Sequence, residues 1–234
     1  MNPTTPGSAP RAGVWRPPPL SVLRAWSHGH DRQTLPSATH VSAGAPRGLA
    51  LLIGCSAVAF SALYFISDLI ELLQGGFSTA QLTLTYAAEA AIPLFVLGLY
   101  ALQRPRIGRL GLVAALTYAY TFVFFTSTVV YALIAHTSDW NALTNSFGAW
   151  VTLHSALMVI AGIALGAAIV RARVLPRWTG VALIIGMILM SVATVLPDVA
   201  ETLAAGVRDL AFAGMGVALL RYDRLQRALA RPAP

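Results

Sequence analysis

Residues 49–73 read LALLIGCSAVAFSALYFISDLIELL. The first two thirds of this stretch are almost wholly apolar, and Asp68 and Glu71 enter only near its end, just before Gly75-Gly76. About 20 helical residues rising 1.5 Å each match a hydrocarbon layer of roughly 30 Å, so the stretch predicts a membrane-spanning helix. Carboxylates inside such a helix are costly unless they face protein or water.

The same design recurs, with further spans predicted at about 80–102, 110–135, 147–170, 180–196 and 199–220. The expected fold is therefore all-α, a polytopic bundle of six transmembrane helices over 49–220, with a tail at 1–48 and a basic tail at 221–234. The leading tail holds eight of the 14 prolines and no apolar period able to bury a core, which predicts disorder. His28, His30 and His40 lie in it without a scaffold to hold a metal, so no metal is expected there.

Composition agrees. Hydrophobic residues make up 56% of the chain and charged residues 11%, against about 25% charged in soluble proteins. The net charge of +7 comes entirely from arginine, clustered between apolar segments. That placement is a topology signal rather than a phosphate-binding face, so the expected partner is the lipid bilayer and not nucleic acid. Cys55 is the single cysteine, which excludes an internal disulfide and a cysteine-based zinc site; it is expected to pack inside the first helix. No glycine loop followed by lysine, no His-Glu-x-x-His and no Gly-x-Ser-x-Gly occurs, and no cofactor is expected.

Five arginines lie in the first tail, three at 104–109, three at 171–177 and four in the last tail, whereas loops 74–79, 136–146 and 197–199 have none. The positive-inside rule then puts both termini in the cytoplasm. Fifteen of 16 arginines obey it, and Arg208, inside the sixth span, is the exception.

That orientation gathers the acids in the outer half of the bilayer. Glu89 lies about nine residues, roughly 14 Å, below the outer end of the second span. Pro93, four residues on, removes the hydrogen bond to the Glu89 carbonyl and predicts a kink there. Asp68, Glu71, Glu89, Asp198, Glu201 and Asp209 face a single arginine, so full ionisation would leave −5 in a low-dielectric space. Repulsion and desolvation then demand either a watery vestibule or protonated acids. Tyr64, Asp68 and Glu71 share one helical face. Arg208 and Asp209 are neighbours pointing about 100° apart, so they need not pair with each other.

On the third span Thr117, Tyr120, Thr121, Phe124, Thr128 and Tyr131 recur at three- and four-residue spacing, which suits either a cavity lining or helix packing with an interfacial tyrosine belt. His154, in the fourth span, suits either a ligand or relay role or a satisfied interhelical bond. The candidate site is thus Glu89 and Asp209 as reacting acids, with Tyr64, Asp68, Glu71, Tyr86, Tyr120, Phe124, Thr128, Tyr131, His154, Glu201 and Arg208 around a small or lipophilic ligand.

Two groups of motifs carry a resemblance. One is Leu99-Tyr100-Ala101-Leu102 before an Arg-Pro-Arg loop and an apolar helix. The other is His154, Gly162 and Gly166, then Val174-Leu175-Pro176-Arg177-Trp178-Thr179-Gly180 opening the next helix. Together they resemble a family of uncharacterised bacterial integral membrane proteins, common in actinobacteria and described as a domain of unknown function. The resemblance covers about residues 50–200 and is most specific at the Leu-Pro-Arg-x-x-Gly turn. It implies a multi-helix fold in the bacterial cell membrane and no assigned activity. In size, helix number and intramembrane Glu and Asp, the chain is also similar, by analogy alone, to small membrane terpene cyclases.

Three functions follow as expectations. A transporter or binding protein would use the acids and His154 for proton or cation coupling, with Pro93 as hinge and Arg208 balancing charge. A membrane-embedded enzyme would protonate a prenylated substrate from Glu89 or Asp209 and stabilise cations on tyrosine and phenylalanine faces. An accessory subunit would have no chemistry of its own.

Overall fold

The computed structural model describes residues 47–193 and 197–229. The expected tail at 1–48 lies outside them up to residue 46, as do 230–234 and the last residues of the fifth expected span. The described residues form seven α-helices: α1 Arg47–Gln74, α2 Thr79–Gln103, α3 Gly108–Ala135, α4 Trp140–Phe147, α5 Ala149–Ala172, α6 Arg177–Ala193 and α7 Asp198–Leu229. Five of them, α1, α2, α3, α5 and α7, are long and apolar enough to cross a membrane. The apolar helix α6 has 17 residues, about 25 Å at 1.5 Å each. Helix α7 runs past the expected Leu220 to Leu229.

Local chemistry sets the helix ends. Ser78 caps α2 by accepting the Gln81 N–H, and Asp139 caps α4 through the Ala142 N–H. Gly148, at φ 56°, breaks the chain between α4 and α5 in a conformation that favours glycine. Helix α2 continues through Pro93.

The six longer helices form a closed ring. Each packs on its neighbours in chain order, and α7 returns to α1. The pairs run antiparallel: on α1 and α2, Glu71 meets Gln81 while Tyr64 meets Glu89. Small residues allow the closest crossings. A Cβ on Gly216 of α7 would lie 2.6 Å from the Gly54 carbonyl of α1, and one on Gly166 of α5 would lie 2.7 Å from the Gly180 carbonyl of α6.

Antiparallel alternation brings the arginine-bearing turns to one end of the ring, where Arg104, Arg106, Arg109, Arg171, Arg173, Arg177 and Arg221 are all exposed. The other end, here the acid end, carries Glu71, Asp139 and Glu201. Every helix of the ring turns large apolar side chains outward, among them Leu52, Leu94, Val123, Ile160, Ile185 and Leu203. A girdle of this kind is stable against hydrocarbon and not against water. Exposed Trp178 stands at the arginine end and exposed Trp140 and Trp150 at the acid end, as interfacial tryptophans do. Cys55, expected to be packed, is exposed on α1.

Aromatic rings fill the middle. Phe95 of α2 meets Phe212 of α7 edge-on at 5.5 Å, and Phe212 meets Tyr118 of α3 at 5.8 Å. The Tyr118 hydroxyl points at the Met187 sulfur of α6, 3.8 Å away. At the acid end the short α4 buries Leu143 against Leu82, Val129 and Ala132 of α2 and α3.

Candidate functional site

Gln81, Thr85 and Glu89 follow one another at four-residue spacing, so they form a single file down one face of α2. Glu71, Ser67 and Tyr64 descend α1 opposite them. The Gln81 Nε2 donates to Glu71 Oε2 at 3.0 Å and to Thr85 Oγ1 at 3.1 Å. The hydroxyls of Thr85 and Ser67 lie 2.6 Å apart, and Ser67 also donates to the Gln81 carbonyl. One turn deeper, the Tyr64 hydroxyl donates to Glu89 Oε1 at 2.8 Å. Two polar rungs thus lie in file along α1 and α2, the Glu71–Gln81–Thr85–Ser67 network toward the acid end and the Tyr64–Glu89 pair one turn deeper.

Helix α7 supplies the other half. Gly186 on α6 makes room for it: a Cβ there would lie 2.7 Å from the Arg208 nitrogen. The Arg208 Nε donates to Asp209 Oδ1 at 2.9 Å. These neighbours do pair, because the long arginine side chain folds back across the 100° between them. The guanidinium carbon stands 4.6 Å from the Tyr64 ring centroid, a cation–π contact, and Nη1 reaches the Met190 sulfur at 3.7 Å. Glu89, Arg208 and Asp209 are 4%, 2% and 5% exposed.

Three polar atoms of this quartet have no hydrogen-bond partner although buried: Glu89 Oε2, Arg208 Nη2 and Asp209 Oδ2. Buried polar atoms are nearly always satisfied, so three orphans in one cluster mark unused bonding capacity. Two buried carboxyl groups, Glu89 and Asp209, thus share a cluster with one guanidinium, an imbalance that a proton or a bound cationic group offsets. Half-buried Asp68 stands one turn from Tyr64 on α1.

The remaining expected residues divide differently. His154 of α5 stacks on Phe124 of α3, ring centroids 3.7 Å apart and planes 9° from parallel. Its Nδ1 lies 2.8 Å from the Trp150 carbonyl and its Nε2 3.2 Å from the Tyr120 hydroxyl. A carbonyl only accepts, so Nδ1 carries a proton, and Nε2 is bonded to the Tyr120 hydroxyl. Tyr131 joins this sector through Phe147, 5.0 Å away edge-on. Thr128 is buried but donates back to the Phe125 carbonyl. Tyr86, Tyr120 and Tyr131 are 42%, 56% and 42% exposed, on the outward surface rather than lining a hollow. Glu201 is half-buried early in α7.

The structure thus brings together Tyr64, Asp68, Glu71, Glu89, Arg208 and Asp209, and places Tyr120, Phe124 and His154 in a second cluster. Ser67, Gln81 and Thr85 are the site residues that sequence reasoning missed; the four-residue file ending at Glu89 was the available signal. Among the described residues, no three His, Cys, Asp or Glu side chains gather to hold a metal ion. No protein-family model, no curated protein and no solved structure matches the chain.

Proposed function

We propose that the chain is a proton-coupled membrane transport or binding protein, in which a small solute bearing a cationic or hydrogen-bonding group occupies the Glu89–Tyr64–Arg208–Asp209 site. The observation that carries this reading is the trio of unpartnered buried atoms in a cluster with more carboxylates than cations. Glu89 exchanges the proton, and the polar network of Thr85, Ser67, Gln81 and Glu71 lies one turn from it toward the acid end. Arg208 is the counter-charge when the site empties.

In this reading α6 is a sixth crossing. It takes its turn in the ring between α5 and α7 and exposes the same apolar surface as they do. Six crossings return both ends of the chain to the arginine end, which the positive-inside rule assigns to the cytoplasm of a bacterial cell. Membership of the actinobacterial family rests on the Leu175-Pro176-Arg177 turn and the glycines of α5. The cyclase-like alternative needs rings around the acid, and of those expected only Tyr64 stands at Glu89, with Phe122 6.4 Å from it.

The test is reconstitution in liposomes with a trapped pH dye, challenged with alkylammonium cations, carboxylates and zwitterionic amino acids. One class is expected to drive proton movement in the native protein, and Glu89→Gln is expected to abolish it while thermal unfolding stays near native. Proton movement unchanged in a folded Glu89→Gln protein, or absent with every solute class, would overturn the reading.

A further inference from the structure

The helices α6 and α7 are unequal. The 32 residues of α7 extend over about 48 Å and the 17 of α6 over about 25 Å. At the arginine end α7 therefore overhangs the start of α6, and a groove of about 520 Å³ opens between α7 and the turn that leads into α6. Ligand pockets commonly hold roughly 300–1,000 Å³. Leu175, Trp178, Leu210 and Val217 form its walls, with Arg221 and Tyr222 at its rim. The Trp178 indole rests on Gly214, where a Cβ would lie 2.1 Å from Cη2, so the wall is a seated ring rather than a free one.

Beside it, along the same turn, a second recess is lined by Val170, Arg171, Arg173 and Arg177. All three arginines are exposed, and neither recess is lined by an acid. An apolar trough running from the arginine end along the girdle, next to a cluster of guanidinium groups, complements one kind of molecule, an apolar chain bearing a phosphate. Guanidinium forks match phosphate oxygens two at a time.

We propose that this paired recess binds one anionic phospholipid, with an acyl chain in the α6–α7 groove and its phosphate on Arg173 and Arg177. The site is independent of the Glu89 cluster. To test it, the full chain is reconstituted in mixed phosphatidylglycerol and phosphatidylcholine vesicles, extracted in mild detergent, and its retained lipid counted by native mass spectrometry. One phosphatidylglycerol per chain is expected, in preference to phosphatidylcholine. The R173Q/R177Q pair is expected to lower its retention roughly 25-fold, since each cation near an anionic lipid surface is worth about a factor of five. Val217→Trp, filling the groove at an exposed position, is expected to remove the lipid with every arginine intact. The R106Q/R109Q pair, with the same charge change in the other loop, should leave retention as it was. Equal retention of both lipids, equal loss in the control pair, or displacement by inorganic phosphate alone overturns the proposal.

Discussion

His154 and Glu89 are both buried in long helices of the same ring, yet their neighbours treat them differently. In the α3–α5 sector, His154 has both nitrogens engaged and its ring stacked on Phe124. In the α1–α2–α7 sector, Glu89, Arg208 and Asp209 make specific bonds and still leave an oxygen, a nitrogen and an oxygen unused. Burial of an ionisable side chain alone does not single out a site. Unpartnered buried atoms also occur singly, at Gln103 and Thr144, so what sets this sector apart is three of them gathered around one ion pair.

The comparison breaks most decisively at the ion pair. Asp209→Ala leaves Arg208 buried without its counter-charge, and a loss of about 3–5 kcal/mol in detergent unfolding is expected. Replacing the pair together, as Arg208→Met with Asp209→Leu, should recover most of that stability and leave solute-driven proton movement abolished. A double variant as unstable as the single one would make the quartet a structural element like the His154 cluster. A smaller effect sharpens the contrast from the other side. Tyr120→Phe removes one interhelical hydrogen bond from His154, worth about 0.6 kcal/mol in membrane helices. Proton movement in the liposome assay should not change; if it does, the α3–α5 sector is more than packing.

The smallest effect belongs to neither sector and sets their baseline. Ser138 Oγ donates to the Asp139 carboxylate, as does the Ala142 N–H, and these bonds hold its carboxyl below the usual carboxylate range. A carboxyl whose folded value is lowered stabilises above its unfolded value, near 3.9, and that contribution fades as pH falls through the folded value. The protection of α4 amides, taken relative to their intrinsic exchange rates, is therefore expected to fall below about pH 4 in the native protein and to show no such step in Asp139→Asn. A step confined to α4 separates cap titration from any acid response of the two buried sectors.

The long apolar runs and the arginine spacing made the ring of helices and its two unlike ends legible in the sequence, because segment length and charge placement are one-dimensional signals. Burial of Glu89, Arg208 and Asp209 was legible too, since an ion facing hydrocarbon is so unfavourable. The facing of the tyrosines was not. In a membrane the exterior is as apolar as the interior, so periodicity along α3 says which residues share a face but not where that face points. Tyr86, Tyr120 and Tyr131 accordingly turned out exposed. The Arg208–Asp209 pairing was hidden because helical angles describe Cβ directions, while a long arginine side chain can curl back onto its neighbour. The match between the Gln81–Thr85–Glu89 file and α1 required the register of two antiparallel helices, which no single segment contains.

The knot of Phe95, Tyr118 and Phe212, tied to Met187, links four of the six ring helices at mid-height. Packed interiors leave few gaps wider than a water molecule, so this knot closes the ring at mid-height. Under the proposed transport reading, a solute that reached the carboxylates would leave by the way it came unless one of these rings swung aside, so passage right through the protein would keep time with that swing.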